Sequence, residues 1–416
     1  MGAKPLVVVD DAVAGAQALF GEFGELRRIP GAEIGASDLK DANALVVRSV
    51  TRIDAELLAE AEKISFVGSA TAGVDHVDRG LLARRGVEFA HAAGCNAMAV
   101  TDWVTAALFD AIHRSPQQWR GPIGIVGVGQ VGSRLTRRLR ALGLEVLGCD
   151  PPRRILGFQG HDLETLVAHC KVLSFHVPLN RGPCSDATVD MLAGKKVRGL
   201  SLINTSRGPV ISNTVLRELK EGAAIVDVWE GEPNLDWELL AARGPVLRAS
   251  PHVAGYTQEA KIRGTAQIRA ALLRHFGLSS VVDAVANPDS PQERLDLELR
   301  CGESRFDSPL AALVACLHSV VNIQGDEERL NDLVRYEEST RARGFEGLRR
   351  NYSLRREFSA YQIRGAALEA IGSQLSVPLA IEGEEHRGSA RVQSHDGCNL
   401  RDALESLGFS LGKGDG

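Results

Sequence analysis

The sequence predicts an α/β chain of two doubly wound parallel-sheet domains followed by a C-terminal α+β domain. Three observations predict it. Short β-branched runs alternate with helical periodicity over residues 1–97, the pattern of a parallel sheet covered by helices. A second and longer series of such runs starts at residue 123 and is interrupted early by a glycine-rich turn. Beyond about residue 288 the alternation stops and the chain becomes more polar.

The bulk properties fit this class and exclude others. With 416 residues, two or three domains are expected at about 150 residues each. A hydrophobic fraction of 44% and a charged fraction of 24% are ordinary for globular domains with sizeable cores. A net charge of −5 argues against a protein that coats nucleic acid, but leaves room for a local basic pocket. The N-terminal apolar run Leu6-Val7-Val8-Val9 is too short for a signal peptide. No stretch of eighteen apolar residues occurs, so no membrane partner is expected. The seven cysteines are scattered without a C-x-x-C pair. That usage fits a reducing, cytoplasmic setting and no metal site.

In the first domain, strands are expected over 6–10, 45–48, 66–68 and 87–90, with helices over 12–23 and 55–61. A helix follows over 97–114, where Val100, Val104, Ala107, Leu108, Ala111 and Ile112 keep helical spacing. Ser115-Pro116 ends it. The second series places strands over 123–127, 145–149, 172–177, 200–204, 224–228 and 246–249. Six strands with crossovers make a complete Rossmann-type sheet. The helical periodicity over 258–276 should pack back on the first domain. Residues 1–97, completed by about 257–288, thus form a Rossmann-like or flavodoxin-like first domain. Residues 98–256 form the second and 289–416 the third. The last boundary falls at Asn287-Pro288-Asp289-Ser290-Pro291. Residues 380–400, rich in Gly, Ser, His and charge, read as a mobile loop.

Gly127-Val128-Gly129-Gln130-Val131-Gly132 matches G-x-G-x-x-G. It follows one expected strand and opens a helix, the context that a dinucleotide fingerprint requires. The first glycine permits the turn, the second admits the pyrophosphate and the third lets helix and strand pack closely. The helix N-terminus then faces the phosphates. Asp150, at the end of the next strand, would accept from the ribose hydroxyls and repel a 2′-phosphate. NAD is therefore expected over NADP, even with Arg153 close by.

Three further segments each begin at the end of an expected strand, where ligands bind in open α/β sheets. They are Asn204-Thr205-Ser206-Arg207-Gly208, Asp227-Val228-Trp229-Glu230-Gly231-Glu232-Pro233 and Ser250-Pro251-His252-Val253-Ala254-Gly255-Tyr256. They supply a guanidinium, a carboxylate and an imidazole. The guanidinium suits a substrate carboxylate, held in a bidentate fork. The imidazole suits proton transfer near neutral pH, with the carboxylate orienting it.

On these residues the chain resembles the D-2-hydroxyacid dehydrogenase superfamily. The resemblance implies that Arg207, Glu232 and His252 are catalytic. It implies that Asp227 meets the nicotinamide carboxamide, and that Val177, Thr205, Ser206 and Gly255 line the NAD site. Further segments resemble the branch that oxidises 4-phospho-D-erythronate on the way to vitamin B6. They are Arg48-Ser49-Val50-Thr51, residues 68–78, Ala93-Gly94-Cys95-Asn96-Ala97, Cys149-Asp150-Pro151-Pro152-Arg153, Gly347-Leu348-Arg349-Arg350-Asn351-Tyr352 and Arg355-Arg356-Glu357-Phe358. This resemblance implies substrate contacts at Ser49, Thr71 and Tyr256 and a C-terminal domain that makes a homodimer. His76 reads as a loop-packing histidine. The basic run 341–356, with six arginines against Glu346, is expected to reach the substrate phosphate from the partner subunit. Alternatives are another superfamily activity, such as phosphoglycerate oxidation, or a non-catalytic NAD-sensing corepressor.

The chain also departs from the pattern. Ser212 stands where an aspartate is expected, and Val177 where threonine is frequent. Loop 183–190 lacks a histidine, and the tail beyond 365 is longer. The stretch from Arg207 to Asp227 is a few residues short. A shift of about 1 Å at Glu232 would cost about 100-fold in rate.

Overall fold

The computed structural model describes residues 4–154, 156–182, 187–240, 245–278, 294–297, 306–364 and 398–412. The break at 287–291, most of the 380–400 stretch and residues 183–186 of the loop without histidine lie outside the described residues. The chain divides into two compact units, Met1–Ala97 with Tyr256–Gln292, and Met98–Gly255 with Glu293–Gly416.

The first unit holds β1 (Leu6–Asp10), β2 (Glu25–Ile29), β3 (Ala44–Val47), β4 (Phe66–Ser69) and β5 (Glu88–His91). They form one parallel sheet in the order β2-β1-β3-β4-β5, the flavodoxin-like order. β1, β3 and β4 are buried throughout, as continuous apolar runs covered on both faces should be. β2 is absent from the sequence expectation, because Glu25, Arg27 and Arg28 break its apolar pattern. It is an edge strand, where charge is tolerated and discourages pairing with other chains.

Two expected helices shrink. Only Ala16–Phe20 is helical in the first, since Gly15 precedes it at φ 69°. Residues 55–61 form successive turns, with Ala59 N–H on Glu56 O and Ala61 N–H on Leu58 O. The helix Gln258–Phe276 packs on β4 through glycines. A Cβ on Gly68 would stand 2.4 Å from Ile268, and one on Gly264 would stand 2.7 Å from Ala70 O.

In the second unit, β6 (Ile123–Val126), β7 (Val146–Cys149), β8 (Val172–Phe175), β9 (Ser201–Asn204), β10 (Ala224–Val226) and β11 (Val246–Ala249) form a parallel sheet. Its order is β11-β10-β9-β8-β6-β7. The order reverses between β6 and β8, so the crevice beyond their C-terminal ends is the place for a ligand. The helix Ala97–Arg114 is buried over residues 99–112.

The C-terminal segment adds the helices Pro309–Val320, Ile323–Asp332, Glu338–Arg350 and Leu400–Ser406. It also adds a small parallel sheet of β12 (Leu295–Leu297), β13 (Tyr361–Ile363) and β14 (Ser410–Leu411). Leu313, Leu317, Phe358 and Leu404 share one core with Ile125, Leu135 and Ile203 of the six-stranded layer. Buried Asp102 ties the two parts together, accepting from Arg138 at 2.6 Å and from Phe358 N–H at 2.9 Å. Among the described residues no helix is long and apolar enough to cross a membrane.

Candidate active site

The glycine-rich turn runs from β6 into the helix Gln130–Ala141. Gly127 has φ 88°, and a Cβ there would lie 2.7 Å from His176 O and 2.8 Å from Val177 Cγ1. A Cβ on Gly132 would strike Gly127 O at 2.0 Å. Around Gly129, by contrast, the space is open, which leaves the backbone accessible to a pyrophosphate. These residues therefore fit a dinucleotide. Val131 packs against the core, and Gln130 accepts from Arg134 at 2.7 Å. Asp150 Oδ2 accepts from Val128 N–H at 2.8 Å, and Oδ1 from Arg153 N–H at 3.1 Å. Arg153 in turn donates to Val128 O.

Asp150 thus braces the turn, and the role expected from the sequence is to oppose a 2′-phosphate by its charge. Asp150→Asn keeps an acceptor and removes the charge. It should narrow the affinity gap between NAD and NADP, and Asp150→Ala should also weaken NAD. Titration with both dinucleotides measures this; an unchanged affinity ratio in both variants would assign cofactor choice elsewhere.

At the ends of β9, β10 and β11 the three chemical segments converge. Asn204 organises the first, accepting from Ser206 N–H and Oγ–H and donating to Arg207 O. Arg207 Nη1 donates to Ser206 O at 2.7 Å. Gly208 then packs against the next segment: a Cβ there would lie 2.0 Å from Trp229 O. Ser212 caps the short helix Asn213–Arg217 by accepting from Val215 N–H, a role serine fills as well as aspartate.

Glu232 Oε2 meets His252 Nδ1 at 2.8 Å, and its Oε1 accepts from Trp229 N–H. The short stretch before Asp227 therefore leaves this pair formed. Burial pushes the Glu232 carboxyl up, but His252, the Trp229 N–H and the Arg349 guanidinium more than offset it and hold it below its usual range.

His252 has φ 59°, a left-handed conformation that is strained for a residue with a Cβ and persists only when neighbours enforce it. Asp227 is one enforcer. Its backbone carbonyl accepts from His252 N–H. Its Oδ1 accepts from Val253 and Ala254 N–H at 2.7 and 3.0 Å, and from Ser250 Oγ–H. Burial pushes the Asp227 carboxyl above the usual range despite these bonds. Arg355 is a second enforcer. It is 9% exposed, and its Nη2 donates to Ala99 O and Ala254 O. In the same basic run, Arg341 donates to Tyr336 O and Val334 O and lies over Trp237.

The first unit places the other expected residues. Ser49 is exposed just past β3, and Thr71 lies just past β4. Thr71 Oγ1 donates to Gly73 O and lies 2.8 Å from Ser69 Oγ, which His76 Nε2 meets at 3.0 Å. Tyr256 is half-buried beneath Lys261.

Sequence reasoning missed His176. Its ring nitrogens lie 2.8 Å from Ser174 Oγ and 3.3 Å from Thr205 Oγ1. Its position beside the glycine turn was the available signal, hidden because the apolar run was read through it. Burial pushes its pKa down to about 3. Below about 6.5 the unfolded chain takes up a proton that the folded chain refuses. Stability from this group is full above that pH and is lost as pH falls towards 3. The slope reaches about 1.4 kcal/mol per pH unit. Urea unfolding between pH 6 and 4 should show a shallower slope in His176→Gln than in the wild type. Equal slopes would mean that His176 protonates freely in the folded protein.

The D-isomer specific 2-hydroxyacid dehydrogenase NAD binding domain matches residues 92–254. An erythronate-4-phosphate dehydrogenase of Yersinia enterocolitica is 40% identical over 85% of this chain and 93% of its own. One of Pseudomonas entomophila is 38% identical over 89% and 99%. Among solved structures, NAD+-bound 3-phosphoglycerate dehydrogenase of Entamoeba histolytica superposes with a TM-score of 0.56. It is 20% identical, covering 66% of this chain and 96% of that one; this is a likeness of fold.

Proposed function

Because the chain belongs to the D-isomer specific 2-hydroxyacid dehydrogenases, NAD-binding oxidoreductases, we propose that it oxidises 4-phospho-D-erythronate at C2 for pyridoxal phosphate synthesis. The observation that carries the chemistry is the 2.8 Å Glu232–His252 pair on the loops after β10 and β11, with Arg207 on the loop after β9 of the same sheet. The similarity to erythronate-4-phosphate dehydrogenases extends over most of the chain and supports the choice of substrate.

Arg207 holds the substrate carboxylate. His252 takes the C2 hydroxyl proton on Nε2, while Glu232 on Nδ1 fixes the ring and favours the imidazolium that forms. Bound NAD would supply the acceptor for the C2 hydride, and the product would be (R)-3-hydroxy-2-oxo-4-phosphooxybutanoate. Gly127, Gly129, Gln130, Val131, Gly132 and Asp150 would hold its adenosine and pyrophosphate. Val177, Thr205, Ser206, Asp227 and Gly255 would line its nicotinamide half, and Ser49, Thr71 and Tyr256 would contact the substrate. The C-terminal segment pairs two chains into a homodimer, which light scattering would report.

The decisive measurement is NADH formation at 340 nm with 4-phospho-D-erythronate and, separately, 3-phosphoglycerate. Preferential turnover of the first supports the proposal. Preference for the second assigns a different dehydrogenase activity, and tight NAD binding without turnover of either assigns a sensing role.

A further inference from the structure

Lys261 lies in the first turn of the helix Gln258–Phe276 and is half-buried. Gly264, one turn further along, packs against Ala70, the first residue past β4. Lys261 therefore stands beyond the C-terminal end of that strand. Its Nζ lies 5.3 Å from the centroid of the Tyr256 ring. Among the described residues no carboxylate pairs with it. Burial, and then the charge of Arg48, hold its amine below the ordinary lysine range.

Arg48 is the first residue past β3, the strand next to β4. Its Nε and Nη2 grip the fully buried Asp10 carboxylate at 2.9 and 3.1 Å. That grip fixes the guanidinium and leaves Nη1 for another acceptor. Two cations thus lie within electrostatic reach of each other in a partly desolvated place, and the one carboxylate, Asp10, is taken by Arg48. Like charges brought together there are unfavourable until an anion completes the group. Ser49, exposed next to Arg48, adds a hydroxyl.

Resting on the phosphorylated-substrate proposal above and deepening it, we propose that Arg48 and Lys261 form the cradle that binds the substrate's phosphate. Arg207 takes the carboxylate, so the phosphate is the remaining charged group. A dianion matches one ammonium and one guanidinium already pinned by Asp10. Within the basic run 341–356, Arg341 and Arg355 are already engaged by backbone carbonyls.

The test compares kcat/KM for 4-phospho-D-erythronate with kcat/KM for D-erythronate. Hydrogen bonds to charged groups make a difference of about 10- to 100-fold in affinity. In Lys261→Met the preference for the phosphorylated substrate should fall by about that factor, and Lys261→Arg should keep most of it. An unchanged preference in folded Lys261→Met overturns the proposal, as does an equal loss on both substrates. If the wild type fails to oxidise 4-phospho-D-erythronate, the functional proposal fails by itself, and inorganic phosphate becomes the probe. Thermal protection by phosphate that Lys261→Met loses then supports the cradle. Protection equal in both proteins, or absent from the wild type, overturns it.

Discussion

His252→Ala should lose about 10²- to 10⁴-fold in turnover while still binding NADH, the range expected for a general base. In the proposed mechanism the imidazole moves the hydroxyl proton through Nε2, because Glu232 occupies Nδ1. Alanine removes the base, but it also places a methyl-bearing residue at φ 59° without the Glu232 bond. His252→Asn separates the two effects. Asparagine tolerates the left-handed region better than most residues, so the loop keeps its course while the base is gone. Both variants should be similarly slow under saturating substrate and NAD. Near-full turnover in His252→Asn would mean that the loop conformation matters and the imidazole does not. NADH fluorescence titration of each variant checks that the cofactor site survives.

The fold was legible where one signal sufficed. The six strands of the second sheet are short, mostly apolar runs, and the helix Gln258–Phe276 keeps one periodicity between Thr257 as N-cap and Gly277 at φ 60°. The glycine turn and the order of Arg207, Glu232 and His252 were legible because each needs a particular residue type at a particular strand end. Legibility failed where tertiary context decides. β2 owes its strand conformation to its place beside β1, since its own residues are mostly polar. Residues 55–61 carry helical spacing but close as separate turns.

Residues around the candidate site whose partners are distant in sequence were also hidden. Arg355 reaches Ala254 across about a hundred residues, and nothing local to 355 announces that contact. The basic run 341–356 looked like one patch because its arginines are close in sequence. Folded, Arg341 lies against Trp237, Arg349 acts on Glu232 and Arg355 holds the histidine loop. Removing everything beyond 288 would therefore also strip the core shared with Ile125 and Leu135, so truncation is a poor probe of dimerisation alone.

Arg207→Lys should lose about 10²-fold in kcat/KM, even though charge is conserved. The guanidinium offers two parallel N–H donors to a carboxylate, whereas an ammonium offers a point charge on a flexible stem. The local structure sharpens the difference. Arg207 sits in extended backbone just before the 3₁₀ turn Gly208–Val210, with Gly208 pressed on the Trp229–Glu230 backbone, so the main chain cannot shift to help a different side chain. One arm, Nη1, already donates to Ser206 O at 2.7 Å and sets the plane of the fork. A lysine nitrogen would have to choose between that carbonyl and the substrate. Loss of a charge-assisted hydrogen bond costs about 1.5–3 kcal/mol, which at its upper end is the 10²-fold expected. The loss should fall on substrate affinity and on turnover together, because a tilted carboxylate also misplaces C2. NAD affinity, measured by titration, should change little by comparison. Wild-type kcat/KM in Arg207→Lys would show that a point charge suffices and would remove the bidentate role.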